Sequence, residues 1–182
     1  MKYYIIAGEA SGDLHGSNLV KELHRLDANA NIRCWGGNLM QAAGATLVKH
    51  YKELAFMGFV EVLMNLRTIL KNLSFCKKDI QQFKPDVLVL IDYPGFNLRI
   101  TEWAKQHRIK VVFYISPQVW AWKESRVKKM KQTIDHMMVI LPFEKSYFKS
   151  KWNWDVEYVG HPLVQVIEEF KKKVDSKQLK GK

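Results

Sequence analysis

The chain has 182 residues, of which 29 are Lys or Arg and 18 are Asp or Glu, for a formal charge of +11; 47% are hydrophobic and 26% charged. That length suffices for one substantial domain with its own core, and that balance excludes a disordered chain. No apolar run approaches the ~20 residues of a membrane-spanning helix, and the opening MKYYIIAGEASGD has one basic residue and too short an apolar run for a signal peptide. The excess charge favours an anionic partner, whether nucleic acid, phosphorylated substrate or acidic membrane, against the plain alternative of a solvated face. Cys34 and Cys76 lack metal-ligand spacing and read as free thiols in a reducing, cytosolic compartment.

In chain order, Lys2–Ala7 is the first strand and about Ser11–Leu26 the first helix, with Leu14, Leu19, Leu23 and Leu26 near helical spacing. Ile32–Trp35 and Thr46–Val48 are short strands around a small helix at about Leu39–Ala43. Phe59–Phe75 reads as a long amphipathic helix. Asp86–Ile91 is a continuous apolar run, as a strand covered on both faces requires. Helices at Phe96–His107, Glu124–Gln132 and Phe143–Lys149 alternate with strands at Lys110–Ile115, His136–Leu141 and Asp155–Val159. A last amphipathic helix is expected at about Leu163–Lys173. The alternation predicts an α/β fold: a Rossmann-like, doubly wound, mostly parallel sheet. Residues 1–170 form the domain. Residues 171–182 hold six lysines and one aspartate and are expected to be a disordered basic tail.

Ligands of such sheets bind beyond the carboxyl ends of the strands. Five turns lie there: Gly8–Asp13, Asp92–Asn97, Ser116–Trp122, Pro142–Lys145 and Gly160–Pro162. The first is neither GxGxxG nor a P-loop. Its Glu9 repels phosphate but accepts hydrogen bonds from a polyol; Ser11 and Asp13 equally suit plain helix capping. Asp92, at the end of the most apolar strand, is placed either for general-base work or for an ordinary turn bonded to its own backbone. Trp120 and Trp122, with Lys123 and Arg126 close behind, suit base stacking, a sugar-binding floor or simple packing. His161 reads as a hinge, a phosphate contact or a structural histidine. The helix at Phe59–Phe75 sets Phe59, Val62, Leu63, Leu66, Ile69, Leu70 and Leu73 on one stripe, which serves either as core or as an interfacial face on an anionic membrane. No histidine–acid spacing suggests a metal site.

Taken together, AGEASGD (Ala7–Asp13), ELAFMGFVEVL (Glu53–Leu63), KPDVLVLIDYPGFN (Lys84–Asn97), YISPQVWAW (Tyr114–Trp122), LPFEK (Leu141–Lys145) and YVGHPL (Tyr158–Leu163) resemble the lipid-A-disaccharide synthases. The resemblance implies the N-terminal half of a GT-B glycosyltransferase, a hexosyltransferase of lipid A biosynthesis in Gram-negative bacteria. Its substrates are UDP-2,3-diacylglucosamine and 2,3-diacylglucosamine 1-phosphate; its products are the lipid A disaccharide 1-phosphate and UDP, and it needs neither cofactor nor metal. It implies Asp92 as the base, Glu9 and Ser11 as substrate contacts, and Asn97 and His161 as further substrate-binding positions. The Phe59–Leu73 stripe becomes membrane or acyl-chain contact, on an enzyme peripheral to the cytoplasmic side of the anionic inner membrane. Family members are about twice as long, so the C-terminal UDP-binding domain is expected to be absent and this chain alone to be inactive. The competing expectations are another GT-B sugar-nucleotide enzyme and a non-catalytic nucleic-acid- or lipid-binding domain; the acidic turn disfavours nucleic acid.

Overall fold

A computed structural model describes residues 1–54 and 66–179. Seven parallel strands form one sheet: β1 (Lys2–Ala7), β2 (Asn31–Gly36), β3 (Thr46–His50), β4 (Val87–Ile91), β5 (Lys110–Tyr114), β6 (His136–Val139) and β7 (Glu157–Tyr158), in the order β3-β2-β1-β4-β5-β6-β7. The helices are α1 (Ala10–Leu26), α2 (Asn38–Ala42), α3 (Leu66–Phe83), α4 (Pro94–Gln106), α5 (Val127–Thr133), α6 (Pro142–Trp152) and α7 (Leu163–Leu179).

The central strands are apolar throughout because both of their faces are covered. In β1, Tyr4 and Ile6 point to one side while Ile5 and Ala7 point to the other; in β4, Leu88 and Leu90 alternate with Val89 and Ile91 in the same way. The Tyr4 side packs against Leu73, Cys76 and Ile80 of α3, Ile100 of α4, Met130 of α5 and Phe148 of α6. The Ile5 side packs against Val20 of α1 and Met40 of α2. Cys34 and Cys76 are both buried and unbonded, and burial, helped by Asp13, pushes the Cys34 thiol up to about 12.

Two helices run well past their expected ends. The amphipathic helix runs over Leu66–Phe83 in the described residues, eight residues beyond its expected end. The polar stretch after Phe75 hides a continuing inward face: Cys76 and Ile80 are buried, and buried Asp79 accepts from Tyr4 Oη at 2.6 Å and pairs with Arg33 at 2.7 Å. The expected disordered tail is helical as far as Leu179, because α7 continues through the lysines. On α7, Val164, Ile167 and Phe170 are exposed.

The sheet order places the topological switch between β1 and β4: the chain winds outward to β2 and β3, then returns to β4 on the other side of β1. Ala7 and Ile91 are register partners, as are Ile91 and Tyr114. The turns after these three strands, carrying Glu9, Asp92 and Ser116, therefore meet at one edge.

Candidate active site

Asp92 sits one residue beyond β4, half-buried, with its backbone N–H donating to Tyr114 O at 3.1 Å. Its φ is +44° and that of Tyr93 is +48°. Across the ladder, Ile115 has φ +66° directly after β5. A β-branched residue in this region is a genuine outlier. Each such residue costs of order 1–3 kcal/mol, and they concentrate where a fold holds functional groups in place.

Asn97 braces the turn. Its Nδ2 donates to the carbonyls of Asp92 at 2.8 Å and Ile91 at 3.3 Å, and its Oδ1 is buried without a partner among the described residues. Tyr93 fixes the other side. Its ring stacks on Phe96 at 5.8 Å, its hydroxyl donates to Leu54 O at 3.3 Å, and it occupies the space that a side chain on Gly8 would need. Only glycine at position 8 lets the first turn pass so close to the second.

Burial, then the negative charge of Glu9, holds the Asp92 carboxyl above its ordinary range; the Tyr93 backbone N–H offsets this in part. A carboxylate tuned upward in this way is suited to take a proton near neutral pH. Beside it is a pocket of about 210 Å³, lined among others by Asp92, Ile115, Ser116, Trp122, Arg126 and Glu144. It lies below the ~300–1,000 Å³ of sites for drug-sized ligands, a scale that suits one sugar ring.

The sequence marks the Pro142–Lys145 turn and the LPFEK motif but not the part that Glu144 plays within them. Glu144 is 1% exposed and ties three segments together. It accepts from the backbone N–H groups of Ile140 and Leu141 at 3.2 and 2.9 Å, and from Trp120 Nε1 at 3.3 Å. The indole of Trp120 is thus pinned to the end of β6, and its ring meets Phe143 edge-on at 5.0 Å.

A family profile described as Lipid-A-disaccharide synthetase matches residues 3–181. The lipid-A-disaccharide synthase of Geobacter metallireducens is 49% identical over 163 residues, covering 90% of this chain and 42% of that protein. Lipid-A-disaccharide synthase 1 of Legionella pneumophila is 41% identical over 97% of this chain and 46% of its own length. The chain belongs to the lipid-A-disaccharide synthase family. It spans less than half the length of these relatives.

Among solved structures, a UDP-GlcNAc 2-epimerase from Neisseria meningitidis superposes with a TM-score of 0.64 at 14% identity, covering 98% of this chain and 52% of that one. A second, from Rickettsia bellii, gives 0.64 at 13% identity. At such identities the likeness is one of fold: the Rossmann-like half of a two-part GT-B-like architecture.

Within this lipid-A-disaccharide synthase domain the expected site residues divide. Glu9 and Asp92 stand at the switch point at the same edge, since the strands before them end in the register partners Ala7 and Ile91, and the charge of Glu9 acts on Asp92. Ser11 is exposed in the first turn of α1 but does not cap it; Glu9 holds the N-cap position and makes no side-chain cap bond. Asp13 is not a cap of its own helix either. Only 3% exposed, it accepts from the amides of Gly37, Leu39 and Met40 at 2.8, 3.1 and 3.0 Å and so anchors the start of α2. Asn97 is fully buried beneath the turn that it braces. His161 accepts from the Leu163 N–H at 3.2 Å at the head of α7. It lies near His15, whose imidazole is held below its ordinary value by burial and then by His161. His15 lines a separate hollow together with Pro162, and neither histidine lines the Asp92 pocket.

Of the apolar stripe, Phe59, Val62 and Leu63 lie outside the described residues, as does the side chain of Leu66. Leu73 is a core residue and Ile69 packs partly against the same core, so the membrane-contact expectation does not hold for Leu73. The reason is the helix phase, which turns positions 69, 73, 76 and 80 toward the sheet. Leu70 and Phe75 face outward, 57% and 48% exposed. Among the described residues no helix is long and apolar enough to cross a membrane, and no group of side chains could hold a metal ion.

Proposed function

We propose that this chain is the acceptor-binding half of a glycosyltransferase that joins UDP-2,3-diacylglucosamine to 2,3-diacylglucosamine 1-phosphate. The observation that carries this reading is Asp92: a half-buried carboxylate with a raised pKa, on a strained turn at the switch point, opening into a pocket of sugar size. In the proposed reaction Asp92 takes the proton of the acceptor 6-hydroxyl. The freed oxygen bonds to the anomeric carbon of the donor as the bond from that carbon to UDP breaks, with inversion. Glu9 accepts hydrogen bonds from sugar hydroxyls, and the Glu144–Trp120 link keeps the wall of the pocket in place. The nucleotide is held by the portion of the relatives that lies outside the matched region. A titration followed by backbone amide NMR tests this: the acceptor should shift the signals of the turns at Glu9, Asp92 and Ser116, and UDP should not.

Lipid substrates of this kind favour a domain that docks on an anionic membrane surface, where apolar and basic groups act together. Leu70 and Phe75 supply the exposed apolar part in the described residues, and Arg67, Lys71, Lys77 and Lys78 are the basic residues of the same helix. Leu70→Ser should weaken binding to vesicles containing anionic lipid while altering stability by no more than about 0.5 kcal/mol, as for other surface changes. A large drop in stability with vesicle binding intact would return Leu70 to a purely structural part.

A further inference from the structure

Arg126 lines the same pocket as Asp92 but has no part in the chemistry above. It is half-buried. Among the described residues no carboxylate pairs with it, and apart from Asp92 those of the pocket and of its own segment are engaged elsewhere. Glu124 bonds Lys151 and Tyr147. Glu144 is taken up by Trp120 and two backbone amides. The Arg126 guanidinium instead lies 5.7 Å from the centroid of the Trp122 ring, and Lys123 Nζ lies 4.7 Å from the same centroid. Lys123 has φ +58°, so the backbone is bent to present it there.

A partly desolvated cation without a counter-ion is costly unless a ligand supplies one. An aromatic face supports a guanidinium by cation–π contact but leaves its N–H fork free. That fork matches the oxygens of a phosphate in a paired geometry that an ammonium cannot offer. The Asp92 carboxylate in the same small pocket repels an anion and attracts a hydroxyl. A ligand bearing both groups is therefore oriented by the two charges.

We propose that Arg126, supported on Trp122 and assisted by Lys123, binds the phosphate of a phosphorylated sugar whose hydroxyl faces Asp92. This rests on reading the Asp92 pocket as the acceptor site, and it adds which end of the acceptor lies where.

The test titrates the chain with three soluble probes, glucosamine 1-phosphate, glucosamine and inorganic phosphate, followed by amide NMR and tryptophan fluorescence. Arg126→Gln should weaken glucosamine 1-phosphate binding by roughly 10–100-fold, the effect of losing charge-assisted hydrogen bonds, and leave glucosamine binding unchanged. Arg126→Lys should recover only part of the loss, because it restores the charge without the fork; it also serves if the glutamine variant fails to fold. If glucosamine 1-phosphate binds both variants as it binds the unaltered chain, the Arg126 assignment is overturned while the acceptor reading stands. Inorganic phosphate binding as tightly as the sugar phosphate would overturn the sugar-phosphate assignment. If neither sugar shifts the signals around Asp92, the acceptor reading and the inference built on it both fall.

Discussion

Asp92→Asn is expected to lower glycosyl transfer by roughly 10²–10⁴-fold, the range a positioned general base contributes, and at the same time to stabilise the domain at neutral pH. Transfer would be measured with the chain joined to the second half of the Geobacter metallireducens relative, and stability on the chain alone. The stability change follows from the direction of the pKa shift. Burial and Glu9 raise the folded carboxyl above its ordinary 3.8, so the folded state holds the proton more tightly than the unfolded one. Stability therefore falls as pH rises from 3.8 through the folded value, and the penalty is complete above that window. Asparagine carries no such penalty, so the variant should melt higher at pH 7, and this gain should disappear below 3.8. Glu9→Gln removes one of the two causes, and the acid limb of the transfer rate should move to lower pH. An Asp92→Asn enzyme within tenfold of the parent rate would remove Asp92 from the role of base.

Gly8→Ala should damage the site without touching a polar group. A Cβ at this position would lie 2.3 Å from Cγ and Cδ1 of Tyr93, where no real contact is found. The ring is not free to yield: it stacks on Phe96, bonds to Leu54 and hangs from a residue with φ +48°. Forcing it aside costs about 1–3 kcal/mol, a fall in Tm of roughly 2–12 °C for a domain of this size. The same movement pulls on Asp92, so the transfer rate should fall with the stability. A double-mutant cycle isolates the contact. In a Tyr93→Ala background, Gly8→Ala should cost far less; an equal cost would place the strain elsewhere.

The parts of the structure legible in the sequence are those encoded locally. β1 starts and ends at the expected residues because the aromatic Tyr3 and Tyr4 and the β-branched Ile5 and Ile6 form one strand-favouring run, closed by Gly8. Glu9 and Asp92 could be placed at one edge because both directly follow such runs and parallel strands all end on the same side. What could not be read depends on distant partners. Asp13 looks like a cap for its own helix, but the amides it binds are 24, 26 and 27 residues away. The helix expected to end at Phe75 runs on past Asp79, and the Tyr4 hydroxyl that takes Asp79 into the core is 75 residues distant. Asn97 sits in a motif beside Asp92, and only the fold shows that it works from beneath the turn. Glu144 could have been noticed as an acid three residues beyond Leu141, in a capping-box position; its bond to Trp120 could not.

In the proposed reaction this domain carries the acceptor and the base while the nucleotide is held elsewhere. The most direct measurement is binding of 2,3-diacylglucosamine 1-phosphate and of UDP to the same 182-residue chain, read at the backbone amides of the turns that hold Glu9, Asp92 and Ser116. The predicted result is that the acceptor shifts those amides and UDP leaves them unchanged. Binding of UDP in the Asp92 pocket, with no response to the acceptor, would contradict it.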